Sequence, residues 1–338
     1  MNNKNILVTG ASGFIGSHLC VALIEAGYNP IGVDNLSNSK AGVLEKIEQI
    51  TKKKITFIQA DLATPQALKE CFAAQPITAV IHLAAFKAVG ESTEQPLRYH
   101  SNNVIGLLNL LNSMNEFGCN KFVYSSSATV YGIPQRLPLD EEHPLASTNP
   151  YGTTKIIGES ILRDVATYSD DYSCISLRYF NPAGAHSSGL LGEDIVEKPA
   201  NLFPVMCRAH LTPEYQMTVF GDDYDTKDGT CIRDIIHIND LIDGHILALE
   251  KCLGENTGYQ AVNLGCGKGW SVLEIIENFE KELGESINYK IGARRPGDTI
   301  SSYASTDYAK KYLGWQTKHD LPSICRDTIK YMRASGAR

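Results

Sequence analysis

Tyr151 and Lys155 stand four residues apart in Pro150-Tyr-Gly-Thr-Thr-Lys155, a spacing that puts both side chains on one helix face, within reach of one bound molecule. A phenol ionises near ~10, so a tyrosine acting as a base near neutrality needs neighbouring positive charge, which Lys155, together with a positively charged ring in the bound molecule, would supply. Upstream, Ser125-Ser126-Ser127 offers hydroxyls. Ser127 is the best placed to hydrogen-bond a reacting oxygen and share its proton with Tyr151; Ser125, Ser126 and Thr129 are close competitors for that role, better suited to satisfying backbone or a substrate phosphate. The chemistry indicated is general acid–base transfer at a substrate oxygen. Tyr-x-x-x-Lys alone describes many helix surfaces, so its weight comes from the elements that position it.

The first of these is Gly10-Ala11-Ser12-Gly13-Phe14-Ile15-Gly16, which joins a β-rich run to a helical one. Three glycines at that spacing let the backbone turn tightly, approach a pyrophosphate and pack helix against strand, with the helix N-terminus toward the phosphates. Asp34, followed by Asn35, ends the next strand, where an acid meets the adenine-ribose hydroxyls and repels a ribose phosphate. The loop therefore predicts NAD rather than NADP, with Lys40 the only nearby cation to argue otherwise. Polar or small residues also stand at the other strand ends: Asp61-Leu62 for the adenine, Leu83-Ala84-Ala85 with Lys87 beneath the cofactor, Ser125 to Ser127, and Asn181; Asn102 is a further contact. Ligands of open α/β sheets bind along that edge.

Apolar, β-branched runs at Asn5–Gly10, Pro30–Asp34, Ile55–Asp61, Ile77–Ala85, Lys121–Ser127 and Cys174–Asn181 alternate with helical spacing at Gly13–Ala26, Lys40–Ile50, Pro65–Ala74, Pro96–Glu116 and Pro150–Tyr168. The alternation predicts an α/β fold, a Rossmann-type doubly wound parallel sheet, with a second, smaller mixed α/β substrate-binding domain. The expected division is 1–180, carrying NAD and the catalytic residues, and 181–338. The second part opens with a loop-rich stretch, Pro182–Gly229. Helices follow at Ile238–Leu253 and Ser271–Leu283, and strands at Met217–Phe220, Gln260–Leu264 and Ile287–Ile291; Ala334–Arg338 carries no core pattern.

With 338 residues, 43% of them hydrophobic, the chain can bury a large core. Its net charge of -7 argues against a nucleic-acid partner, which would need clustered Lys and Arg. The nine cysteines are scattered and form no C-x-x-C pair, so neither a metal site nor a disulfide framework is expected, and a reducing, cytoplasmic setting is. The first strand begins too early for a leader, and no apolar run reaches membrane-spanning length.

The glycine turn and Tyr-x-x-x-Lys together resemble the extended short-chain dehydrogenase/reductases over nearly the whole chain. Within these, Lys87-Ala-Val-Gly-Glu-Ser92, Ser125-Ser-Ser-Ala-Thr-Val-Tyr-Gly132, Arg178-Tyr-Phe-Asn-Pro182, Gly229-Thr-Cys-Ile-Arg-Asp234 and Arg294-Arg-Pro-Gly-Asp298 resemble the UDP-galactose 4-epimerase family. The resemblance implies that Tyr151 takes the proton of a sugar 4-hydroxyl as hydride leaves C4, that the 4-keto sugar turns over and recovers the hydride on its other face, and that NAD stays bound. It implies that Ser127, Ala128 and Thr129 meet the sugar, and that Asn181, Asn201, Leu202, Phe220, Arg233, Arg295 and Asp298 hold UDP, arginines on the diphosphate and Asp298 on the ribose. Lys87 and Tyr179 line the cofactor and sugar pocket. Aligned without a gap to Gly314-Trp315, Ser302 stands where family members restricted to plain hexoses carry a bulky Tyr, which implies room for an N-acetyl group; a one-residue slip would put Tyr303 there instead. Rival readings are a 4,6-dehydratase, which needs an acid and a base that Ser126-Ser127-Ala128-Thr129 lacks, a dehydrogenase releasing NADH, and an NAD sensor without turnover. Pairing of the 96–116 and 150–168 helices implies a homodimer.

Overall fold

The computed structural model describes residues 4–195, 199, 201–295 and 297–335. The chain divides into two compact units, neither of them one continuous segment: 1–132, 144–178 and 242–262 form the first, and 133–143, 179–241 and 263–338 the second. The expected break near 180 falls where the chain passes between units, but the 133–143 and 242–262 stretches cross it in opposite senses.

In the first unit the order is β1 (Asn5–Thr9), α1 (Phe14–Glu25), β2 (Asn29–Asp34), α2 (Val43–Thr51), β3 (Thr56–Gln59), α3 (Pro65–Ala74), β4 (Ala79–His82), α4 (Val89–Glu94), α5 (Pro96–His100), α6 (Gly106–Glu116), β5 (Lys121–Ser127), α7 (Pro150–Thr167) and β6 (Ser173–Tyr179). The chain continues through β7 (Asn181–Ala183), α8 (Leu202–Leu211), β8 (Met217–Phe220), β9 (Ile232–His237), α9 (Ile238–Gly254), β10 (Gly258–Leu264), β11 (Gly269–Ser271), α10 (Val272–Leu283), β12 (Tyr289–Gly292), β13 (Ser301–Ser302), α11 (Asp307–Leu313) and α12 (Leu321–Ala334).

Seven strands form the main sheet in the order β10-β6-β5-β4-β1-β2-β3. β1 pairs in parallel with β2 on one side and β4 on the other, so the strand order reverses at β1, and Gly10 begins the turn at that switch point. Leu7, Ile31, Val33, Val80 and Phe122 are fully buried, as expected of strands covered on both faces by helices. Each such side chain contributes roughly 1.5–3 kcal/mol of transfer free energy.

Three expectations are corrected. Gln260–Leu264 belongs to the seventh strand of this sheet rather than to the smaller domain. The 96–116 helix is broken: a π-helical turn over Ser101–Ile105 separates α5 from α6. The loop-rich stretch contains α8, and β9, α11 and α12 had also gone unseen.

In the second unit β9 is the hub, flanked by β11, β13 and β7, while β12 pairs with β8. Its core is built from Phe203, Met206, Ile276, Phe279, Ile324, Ile329 and neighbours, contributed mainly by α8, α10 and α12. A capping box, Ser271 with Glu274, starts α10, and the Asp320 side chain caps α12, whose last residue is Ala334; residues 336–338 lie outside the described residues.

Candidate functional site

At the switch point Gly10 adopts φ +70° and donates to Val33 O (2.8 Å), so β1 turns directly over β2. A Cβ on Gly10 would lie 2.9 Å from Ala84 N, and one on Gly16 would overlap the Gly10 carbonyl oxygen. Glycine is therefore obligatory at both positions. α1 starts at Phe14 and Ile15 with Gly13 as its N-cap and no side-chain capping bond. An uncapped N-terminus on a closely approached backbone fits a pyrophosphate.

Asp34 is buried and accepts from Ser12 N (3.1 Å), Leu36 N (2.9 Å) and Ser39 Oγ (3.1 Å), which holds its carboxylate beside the glycine turn. Asn35 Nδ2 donates to Asp61 Oδ2 (3.0 Å), and Ala63 N to Asp61 Oδ1 (2.8 Å), so Asp61, two residues past the end of β3, closes the turn that carries Leu62. Leu83 and Ala84 donate backbone N–H groups to Thr9 Oγ1 (3.2 Å each), with Ala85 and the exposed Lys87 beyond them. Asn102 lies in the π turn and donates to Asn103 Oδ1 (2.9 Å). Asn103 in turn donates to Phe86 O (3.0 Å) and Thr154 Oγ1 (3.0 Å), binding the loop after β4 to α7.

α7 begins where Asn149 Oδ1 accepts from Gly152 N (2.9 Å) and Pro150 takes the first helical position. Tyr151 and Lys155 follow one turn apart, with the Lys155 ammonium 5.8 Å from the Tyr151 ring centre. Ser127, last residue of β5, stands at the Tyr151 phenol, whose ionised form its hydroxyl favours, and accepts from Thr129 Oγ1 (3.0 Å) and Thr129 N (3.2 Å). Lys155 Nζ donates to Ser125 O (2.6 Å) and is buried. The constellation expected of Tyr151, Lys155 and Ser127 is thus assembled within one unit.

Desolvation pushes the Tyr151 phenol up to about 12, against which the Ser127 hydrogen bond works. Burial lowers Lys155 to about 7, with the Glu159 carboxylate acting in the opposite sense. In the protein alone burial keeps the phenol protonated near neutrality, and further positive charge is needed to ionise it.

In the second unit Arg233, on β9, donates to Ile232 O (2.9 Å) and Thr299 O (2.8 Å) and approaches Asp298 at 3.5 Å. Arg295 forms two bonds to the same carboxylate (2.8 and 3.2 Å), with its guanidinium 5.3 Å from the Phe220 ring centre. Two guanidiniums therefore share Asp298, a geometry suited to an oxyanion. Asn181 Nδ2 donates to Asp234 O (2.8 Å), and Asn201, preceding Leu202 at the start of α8, donates to Glu193 (2.6 Å). Ser302 is in register with Arg233, and so is Trp270, so these three side chains share one face of the sheet. Tyr303 points to the other face, where its ring packs on Gly269; a Cβ there would lie 3.1 Å from it. Tyr179 is buried at the end of β6.

Sequence reading missed the groups that hold the site: Ser12 and Ser39 around Asp34, Thr9 under Leu83 and Ala84, and Asn103 and Thr154 across α7. It also missed Glu159, although Tyr151, Lys155 and Glu159 at successive i+4 steps already lie on one helix face.

The profile of the GDP-mannose 4,6 dehydratase family matches residues 7–328. UDP-glucose 4-epimerase of Bacillus subtilis is 48% identical over 98% of this chain and 97% of its own length. Among solved structures, UDP-glucose 4-epimerase from Stenotrophomonas maltophila, with bound NAD and formylated UDP-arabinopyranose, superposes with a TM-score of 0.95 at 42% identity, covering 98% of both chains. The UDP-Glc/GlcNAc 4-epimerase of Campylobacter jejuni gives 0.84 at 35% identity, covering 98% of this chain and 99% of that one.

Proposed function

The chain belongs to the UDP-glucose 4-epimerase family of extended short-chain dehydrogenase/reductases, and from that premise we propose that it interconverts UDP-glucose and UDP-galactose through a 4-keto intermediate on a tightly held NAD. The observation that carries this reading is the meeting of three groups: Ser127 at the end of β5 favours the ionised Tyr151 phenol, and the Lys155 ammonium, one turn further along the same helix face, lies 5.8 Å from the Tyr151 ring centre.

When bound, NAD supplies a reversible hydride acceptor and a positive ring. The chain's own residues do the rest. Gly10, Gly13 and Gly16, with Phe14 and Ile15 opening α1, hold the pyrophosphate, and Asp34 and Asn35 take the adenine ribose. Asp61, Leu62, Leu83, Ala84, Ala85, Asn102 and Ser125 line the remaining length. Ser127 orients the sugar 4-oxygen and passes its proton to Tyr151, whose acidity must be raised by positive charge beyond what Lys155 provides. Lys155, held by its bond to Ser125 O, also reaches the nicotinamide ribose.

Arg233 and Arg295 grip the diphosphate, and Asp298 moves from the guanidiniums to the uridine ribose. Asn181, Asn201, Leu202 and Phe220 hold the nucleotide, while Ala128, Thr129, Lys87 and Tyr179 border the sugar. Such strong anchoring at the nucleotide leaves the hexose free to turn. The family profile is named for a dehydratase, yet residues 126–129 contain no carboxyl group for elimination.

A second reading rests on Ser302. Because Ser302, and not Tyr303, shares the Arg233 face, a small side chain borders the anchor and the acetylated pair, UDP-N-acetylglucosamine and UDP-N-acetylgalactosamine, is also turned over. We further assign the chain to the cytoplasm, in keeping with nine free cysteines, eight of them buried, and to a homodimer. No helix among the described residues is long and apolar enough to cross a membrane. Incubating the purified protein with UDP-galactose, without added NAD, and separating the UDP-sugars tests the reading: UDP-glucose is expected, and net NADH or no conversion contradicts it.

A further inference from the structure

Glu159 lies one helical turn beyond Lys155 and is fully buried. Its Oε1 accepts from Ser126 Oγ (2.6 Å) and Arg178 Nε (2.9 Å), and its Oε2 from Arg178 Nη2 (2.7 Å). Arg178 completes the set by donating to the Tyr131 hydroxyl (3.0 Å). Four elements meet at one carboxylate: the end of β5 through Ser126, the turn after it through Tyr131, β6 through Arg178, and α7 itself. A buried ion pair is a poor stabiliser, since an apolar pair of the same size would serve the fold as well or better. Its place beside the acid–base group points to another use.

We propose that Glu159 is a positioning residue for the reaction: its carboxylate, clamped by Arg178 and Ser126, favours the ammonium form of Lys155 and ties the serine-rich end of β5 to the helix carrying Tyr151. The inference rests on the epimerase reading for its consequence, but not for its geometry. The groups facing Lys155 are Tyr151 and Glu159 from α7, Tyr124 from β5, whose ring centre is 4.9 Å from the ammonium, and His82 from β4. Burial and the Lys155 charge push the His82 imidazole down to about 3, and burial pushes Tyr124 well up, so both are neutral near pH 7. Glu159 is the group whose charge favours the Lys155 ammonium against burial. The close fit of Gly158 depends on the same packing, because a Cβ there would collide with the Tyr124 hydroxyl.

The test follows the Lys155 side chain directly, by the Cε resonance of 13C-lysine-labelled protein against pH, assigned with Lys155→Arg. In wild type the resonance titrates near neutrality. Glu159→Gln moves that titration down by roughly one pH unit and lowers kcat about tenfold with KM nearly unchanged. Because Glu159→Gln takes away the carboxylate that faces the buried Arg178 charge, Glu159→Gln combined with Arg178→Met removes both charges and should give the same downward shift. A folded variant of either kind whose Lys155 titrates as in wild type overturns the proposal. If instead wild type fails to convert UDP-galactose while Lys155 responds as described, the epimerase reading fails and the charge coupling stands.

Discussion

Lys155 and Arg295 are both cations assigned to oxygen atoms of a nucleotide, yet the two units present them differently. Lys155 is buried on a long helix, bonded to a strand carbonyl and backed by Glu159, which Arg178 and Ser126 hold in turn. Arg295 is largely exposed, in the loop between β12 and β13, and its partner Asp298 is shared with Arg233. On the proposed roles, the catalytic groups are held by the protein's own bonds, while the anchor exchanges one set of partners for another. That division suits a reaction in which a proton and a hydride move over short distances while a sugar turns over. Preorganisation is worth most where charge develops, and an adaptable grip suffices where only affinity is required.

The largest effect expected from breaking this contrast is at Tyr151. Tyr151→Phe retains the ring and loses the proton acceptor, so conversion of UDP-galactose should fall about 10²–10⁴-fold, with bound NAD retained, as a chromatographic rate assay would read. Next is the turn that holds the cofactor. Gly16→Val places a branched side chain against Gly10 O and Ala11, and the purified protein should lose most of its NAD, measured as nucleotide released on denaturation. In the second unit the effects move from kcat to KM. Arg233→Ala and Arg295→Ala should each raise KM for UDP-galactose about tenfold, the worth of a charge-assisted hydrogen bond of ~1.5 kcal/mol, with kcat held within a few-fold. Smallest on the hexose pair is Ser302→Tyr: UDP-glucose and UDP-galactose should interconvert at near the wild-type rate while turnover of the acetylated pair disappears. Acetylated sugars that wild type does not convert would show that Ser302 opens no room for them.

Legibility followed the same line. Gly10, Gly13, Gly16, Asp34, Tyr151, Lys155 and Ser127 could be read because their spacing is local and their chemistry narrow. The strands that hold them were readable from apolar runs buried on both faces. What escaped was non-local. Ser39 reaches back to Asp34, Thr9 supports Leu83 and Ala84, and Glu159 meets Arg178 across two elements; no periodicity announces such pairs. β10 could be read as a strand but not placed, since edge partnership depends on what the chain does before it returns. α12 had a legible start in Asp320 and Pro322 and an apolar stripe through Ile324, Cys325, Thr328 and Ile329, and was overlooked for want of a strand beside it. Burial, which sequence does not display, raises the Tyr151 phenol and leaves its ionisation to the positive charge that a bound nicotinamide ring adds.

The most direct test of the account uses UDP-galactose carrying deuterium at C4, given to purified protein without added cofactor. If the hydride leaves and returns within one closed site, the UDP-glucose formed retains deuterium at C4. Loss of the label to solvent, or its appearance in free NADH, would contradict reversible hydride exchange on a cofactor that stays bound.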